Sequence, residues 1–241
     1  MSAGNLQMLE TAIGHLSPLL ADVVFVGGVT VELWITDAGA PPLRLTADVD
    51  VVVEVATRQD YYQLEDQVRG LGFANDESSG VICRFNHAQS GLVLDLMPTK
   101  ASLLGFENRW LGEAFDQAAE VTLPAGQSIK AIPPPLLLAT KLEAFAGRGK
   151  LDFYGSRDFE DVVRLIDGRT ELVEEVAAAA EELRRYIADQ LSRLSKHRDF
   201  DGGLEGSLPM GLAARDRVDG VVWPRVRELI DSRSLSEQDS D

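Results

Sequence analysis

The chain has 241 residues, 45% of them hydrophobic, which suits one large domain or two small ones with a sizeable core. Its formal net charge of −16 and sequence pI near 4.6 argue against a broad nucleic-acid-binding surface, though not against a local basic patch. The single cysteine, Cys83, excludes an internal disulfide, the scattered His15, His87 and His197 lack zinc-ligand spacing, and no apolar run could span a membrane, so a reducing cytoplasm is the expected setting.

The start of the chain lacks the basic-then-apolar order of a signal peptide. Leu6, Leu9, Ile13, Leu16 and Leu20 recur at helical spacing and predict an amphipathic helix over residues 5–20, weakened near its end by Pro18. Val23 to Val26 predicts a short buried strand that runs into Gly27-Gly28, with a helix from Val29 to Thr36 beyond. A strand, a glycine pair and a helix amino end can cradle a phosphate, because glycine admits close backbone approach and free N–H groups attract anions. Most glycine pairs, however, are only turns. Residues 37–43, with Gly39 and Pro41-Pro42, read as loop.

The stretch Arg44-Leu45-Thr46-Ala47-Asp48-Val49-Asp50 then enters a run of valines. If Asp48 to Val55 is extended, Asp48, Asp50 and Val52 share one face, while Val49, Val51 and Val53 fill a core from the other. Adjacent carboxylates repel, and a divalent cation such as magnesium relieves that repulsion. The other reading of the same residues is a strand entered from a polar turn, with both aspartates in water.

Thr57 is placed to cap a helix from Arg58 to Arg69 that ends at Gly70. Val81 to Phe85 and Gly91 to Met97 predict a hairpin closed by Pro98. Asp95 falls inside the second strand, which is otherwise apolar. It is either paired, metal-bound or on the solvent face of an edge. Phe106, Trp110, Leu111 and Phe115 suggest a short helix or packed loop. Val121 to Leu123 and Ser128 to Ile132 read as strands around a turn at Gly126.

Pro133-Pro134-Pro135 marks a boundary between a sheet-like part, residues 1–132, and a helical part, residues 133–241. A helix over 134–146 carries Lys141 among apolar residues, and Arg148 lies seven residues on, about two turns. Lys141 also reads as an ordinary lysine snorkelling from a helix edge. Ser156 can cap the next helix, which holds Asp158 and Asp161 on one face. A long helix over 171–195, a loop over 199–211, a final helix over 221–231 and a disordered polar tail from Ser232 complete the expectations.

Taken in order, these features resemble the nucleotidyltransferase fold of the DNA polymerase beta superfamily, and more closely the AbiEii/MenT branch of bacterial nucleotidyltransferase toxins. The matching motifs are Gly27-Gly28-Val29-Thr30, Arg44-Leu45-Thr46-Ala47-Asp48-Val49-Asp50, Lys141-Leu142-Glu143-Ala144-Phe145 and Arg157-Asp158-Phe159-Glu160-Asp161, over about residues 20–168. Residues 171–241 match nothing of use. The resemblance implies an α+β fold, with a nucleotidyltransferase-like mixed sheet and a helical C-terminal half. It implies that Asp48 and Asp50, with Asp95 as third carboxylate, bind magnesium or manganese and serve catalysis. Gly27, Gly28, Thr30 or Thr46, and Arg44 would meet the nucleoside triphosphate. Lys141, helped by Arg148, would neutralise the phosphates, and Asp158 or Asp161 would position Lys141 or the acceptor. The expected partners are a triphosphate and a cognate antitoxin. The acceptor stays open among transfer RNA, a protein and a small molecule, because the chain is acidic and its basic cluster small. Two other readings are an aminoglycoside-type nucleotidyltransferase and a catalytically silent nucleotide-binding module on the same fold.

Overall fold

Alternating valines in the first half and alanine- and leucine-rich helices in the second separate into two compact units in the computed structural model, which describes residues 3–100, 103–105 and 108–233. One unit comprises Met1–Leu33 with Pro42–Pro133, the other Trp34–Pro41 with Pro134–Asp241.

The first unit is built on a seven-stranded mixed sheet. Its strands are β1 (Val23–Val26), β2 (Val49–Val53), β3 (Phe73–Asn75), β4 (Arg84–His87), β5 (Val93–Pro98), β6 (Ala119–Thr122) and β7 (Ser128–Ala131). They lie in the order β3-β4-β5-β2-β1-β7-β6. The β2–β5 and β1–β7 pairs are parallel and the rest antiparallel, including the hairpin β4–β5. Period-two alternation puts Val49, Val51 and Val53 with Phe25, Leu94 and Leu96 in one buried cluster, closed by Leu9 and Ile13 of α1 (Ala3–His15) and by Leu16 just after it. Burying each such side chain stabilises by about 1.5–3 kcal/mol. The helix α3 (Arg58–Gly70) begins with Thr57 and Asp60 capping each other, and its Tyr61 Oη donates to the Leu96 carbonyl at 2.8 Å.

Several boundaries differ from expectation. The first helix stops at His15, and Pro18, which has no N–H to continue the ladder, sits in a separate 3₁₀ turn, Ser17–Leu19. The helix expected over 29–36 is a 3₁₀ turn, Gly28–Thr30, and one α-turn, α2 (Val31–Trp34). Asp48 lies just before β2 rather than in it. The strand expected over 81–85 is displaced to 84–87, because the chain turns at Ile82, which is 66% exposed. The strand β3 has only Phe73 buried, so no alternation betrays it. Trp110, Leu111 and Ala114 are buried around α4 (Leu111–Asp116); Phe106 and residues 234–241 lie outside the described residues.

The second unit is helical: α5 (Pro134–Gly147), α6 (Arg157–Gly168), α7 (Leu172–Ala177), α8 (Glu181–Leu194), α9 (Phe200–Gly206), α10 (Leu212–Arg217) and α11 (Trp223–Asp231). Phe145, Phe153 and Phe159 form its aromatic centre, Phe159 lying 4.9 Å from each of the other two rings. Segment 34–41 joins this unit because the Thr36 and Asp37 N–H groups both donate to the Gly168 carbonyl at 2.9 Å. The single helix expected over 171–195 is two. Alanine favours helix, yet Ala180 is extended (φ −53°, ψ 143°), and the Arg184 guanidinium donates to the carbonyls of Ala177 and Ala179, capping α7. The loop expected over 199–211 contains α9. Gly203 permits it, since a Cβ there would stand 2.7 Å from the Cβ of Phe153. The final helix starts earlier than expected, α10 passing into α11 through a π turn, Val218–Val222.

Candidate active site

The candidate residues fall into two groups, one in each unit. In the first unit the sheet register sets Asp50 of β2 beside Asp95 of β5, and Asp95 beside Arg84 of β4. Paired residues on neighbouring strands point to the same face, so three charged side chains form one row across three strands. Asp48, at the entry to β2, joins them through Arg84. The Arg84 guanidinium forks onto Asp95, Nε donating to Oδ1 at 2.8 Å and Nη2 to Oδ2 at 2.7 Å. The same Nη2 reaches Asp48 Oδ2 at 2.6 Å. Hydrogen bonding to Asp95 is the largest cause raising the Arg84 pKa, burial works against it, and the charges of Asp95, Asp48 and Asp50 add to the rise. Asp95 is therefore not on a solvent face: it is 7% exposed and paired with a cation.

Gly27, just after β1, lies against this row. Its φ is +75°, and a Cβ there would overlap the Asp50 carboxylate. Only glycine combines that backbone with that proximity. The Thr30 side chain is fully buried, and its Oγ1 donates to the Gly27 carbonyl at 2.8 Å. Gly28 opens a 3₁₀ turn followed by a single α-turn, so a phosphate here would meet glycine backbone rather than a long helix dipole.

Asn5 was not foreseen. Buried in α1, its side chain donates to the Arg44 carbonyl and accepts from the Thr46 N–H, both at 2.9 Å. It thus fixes the backbone that leads into Asp48. Thr46 is itself 8% exposed, and its hydroxyl faces the Met8 sulfur at 3.7 Å. Arg84 was not foreseen either, although its odd-even position in β4 relative to Phe85 gives its face. Cys83, next to it, is packed, with burial pushing its thiol up to about 12.

In the second unit Lys141 of α5 is 8% exposed and lies between two acids of α6, Asp158 Oδ1 at 3.2 Å and Asp161 Oδ2 at 2.7 Å. Arg148 forks onto Asp158 at 2.8 and 3.0 Å. Burial would raise the Asp158 pKa, but the Arg148 hydrogen bond and the Lys141 charge outweigh it and hold the carboxyl low. Ser156 caps α6, accepting from the Phe159 N–H, and so sets the phase that points both acids at Lys141. Lys141 is not a snorkelling lysine; it is a buried charge paired twice.

The donor set near β2 suits a small hard cation: Asp48 and Asp50 both act on Arg84, and Asp50 lies beside a glycine with no side chain. Among the described residues no three acidic, histidine or cysteine side chains converge as a ready-made metal cage. A cleft of about 260 Å³ lined by Gln7, Met8, Thr11, Ala47, Ser90 and Val93 contains none of the candidate residues. No helix among the described residues is long and apolar enough to cross a membrane.

A family model described as the nucleotidyl transferase AbiEii toxin of a type IV toxin–antitoxin system matches residues 12–217. A search of curated proteins found no match.

Proposed function

Because the chain belongs to the AbiEii nucleotidyltransferase toxin family, we propose that it moves a nucleoside monophosphate from a nucleoside triphosphate to an acceptor hydroxyl, with magnesium or manganese as cofactor. In that step the acceptor oxygen bonds to the α-phosphorus and the α–β bridging bond breaks. Pyrophosphate leaves, and the hydroxyl proton passes to a base or to water. A divalent cation would supply charge for the triphosphate and the leaving group. Asp48 and Asp50 would hold it.

The observation that carries this reading is the pair Asp48, just before β2, and Asp50, within it, with Asp50 packed against the Cβ-less turn at Gly27. Gly27 and Gly28 would offer backbone N–H groups to the phosphates, and Arg44 a cation. Lys141 and Arg148 would act as phosphate-binding cations, with Asp158 and Asp161 positioning Lys141; their contacts of 3.2 and 2.7 Å support that last role. The acceptor belongs to the same proposal. A net charge of −16 favours a cationic small molecule or a protein hydroxyl over a long nucleic acid held by a basic surface. A cognate antitoxin is the partner this family implies.

The test is a thermal-shift titration with each of the four ribonucleoside triphosphates and magnesium, on wild type and Asp48→Asn. A ligand that binds only the folded state raises the midpoint with concentration. A magnesium-dependent rise that the variant loses is expected, followed by transfer of radiolabel from the α-phosphate of the best triphosphate. No rise with any triphosphate would refute the proposal.

A further inference from the structure

Resting on that reading, we infer that Arg84 is a built-in cation that takes the place of a second metal ion, so that the site binds one divalent cation, at Asp48 and Asp50, and Asp95 serves to position Arg84. The argument is one of occupied space and charge. An ion bridging Asp48 and Asp95 must sit close to 2.0–2.1 Å from an oxygen of each if it is magnesium. The point between these two acids is already held by Arg84 Nη2, at 2.6 Å from Asp48 Oδ2 and 2.7 Å from Asp95 Oδ2. Two cations cannot share that point.

Geometry also decides which acid Arg84 would surrender. Asp95 accepts two parallel hydrogen bonds from the guanidinium, Asp48 only one, through a single oxygen. Forked pairs are the stronger and more directional. The Asp95 side chain is also less exposed than that of Asp48, 10% against 28%, so leaving it unpaired costs more. Arg84 therefore stays with Asp95, and an ion arriving at Asp50 competes with it for Asp48. With Arg84 in place, the three carboxylates carry a residual charge that one divalent ion balances; a second would leave the cluster positive.

Manganese titration with electron paramagnetic resonance of the free ion, on the full chain, counts bound ions without relying on turnover. In the presence of a non-hydrolysable triphosphate, whose own ion is counted by omitting the protein, wild type is expected to hold one protein-dependent manganese per chain. Arg84→Gln, freed of the competing cation, is expected to bind manganese at least five-fold more tightly in the absence of nucleotide. Arg84→Lys, which keeps the charge but not the fork, should fall between and guards against a folding defect in the first variant. Two protein-dependent ions in wild type would overturn the inference while leaving the nucleotidyltransferase reading standing. So would unchanged or weaker manganese binding in both folded variants. No protein-dependent manganese with any triphosphate would overturn both.

Discussion

Replacing Lys141 with methionine tests how the second unit holds together. The ammonium sits between carboxylates whose side chains are 9% and 6% exposed, so its removal leaves buried negative charge that water cannot reach. Breaking such a pair from one side costs about 3–5 kcal/mol. Arg148 still donates two bonds to Asp158, although its own side chain is 74% exposed, which places the expected loss at the low end, about 3 kcal/mol. For a chain of this length that is a fall of about 6–12 °C in midpoint. Circular dichroism at pH 7 would measure it. Adding Asp161→Asn to Lys141→Met removes a stranded charge and is expected to restore at least half of the loss, so the two substitutions are strongly non-additive. A midpoint for Lys141→Met within 2 °C of wild type, or a double variant that simply sums the two losses, would refute the buried-triad argument on the scale given. Triphosphate affinity, measured well below the midpoint, then separates roles: the proposed function requires Lys141→Met to weaken it at least ten-fold while still folded.

Other outcomes follow from the same contacts. Gly27→Ala should lower stability by about 1–3 kcal/mol from a backbone region open essentially to glycine alone, and should abolish the proposed manganese binding of the folded protein because the new methyl displaces Asp50; wild-type manganese affinity would sink the claim. Asn5→Ala should leave the sheet intact but loosen the Arg44–Thr46 backbone, seen as faster amide exchange at Thr46, whose N–H loses its acceptor. Asp158 has a folded pKa below its ordinary 3.8, so its contribution to stability is present above about pH 4 and lost as pH falls through the lower folded value. Acid unfolding of Lys141→Met should accordingly begin at higher pH than in wild type. Cys83, buried and with its thiol held at about 12, should resist iodoacetamide at pH 8 until the first unit unfolds.

What was legible in the chain was what periodicity and order encode. The valines of β2 declared both the strand and its two faces, because alternation is a property of neighbours in sequence. Thr57 and Ser156 declared helix starts for the same reason: each acceptor and the N–H it caps lie three residues apart. The motif order, and with it the family, was equally linear. Failures came where a contact distant in sequence outranks a local preference. The alanine run breaks because the Arg184 guanidinium caps its carbonyls. The glycine-rich stretch at 200–206 is a helix although glycine disfavours one, and Gly203 stands where Phe153 leaves no room for a side chain. Neither partner is visible from within the segment it controls.

The candidate site divides along the same line. Asp48 and Asp50 announced themselves as a pair, but their chemistry depends on two residues that carry no motif. Asn5 reaches the Arg44–Thr46 backbone from about forty positions away, and Arg84 becomes relevant only once β4 pairs with β5 in one register. A slip of that register by one residue would turn Arg84 to the opposite face and put Phe85 beside the acids. The hairpin that sets the register therefore also sets the electrostatics around the proposed metal ligands. Substitutions in the turn at 88–91, which holds none of the candidate site residues, would be expected to alter manganese affinity through Arg84 if they shift the pairing of β4, and to leave it unchanged if they do not.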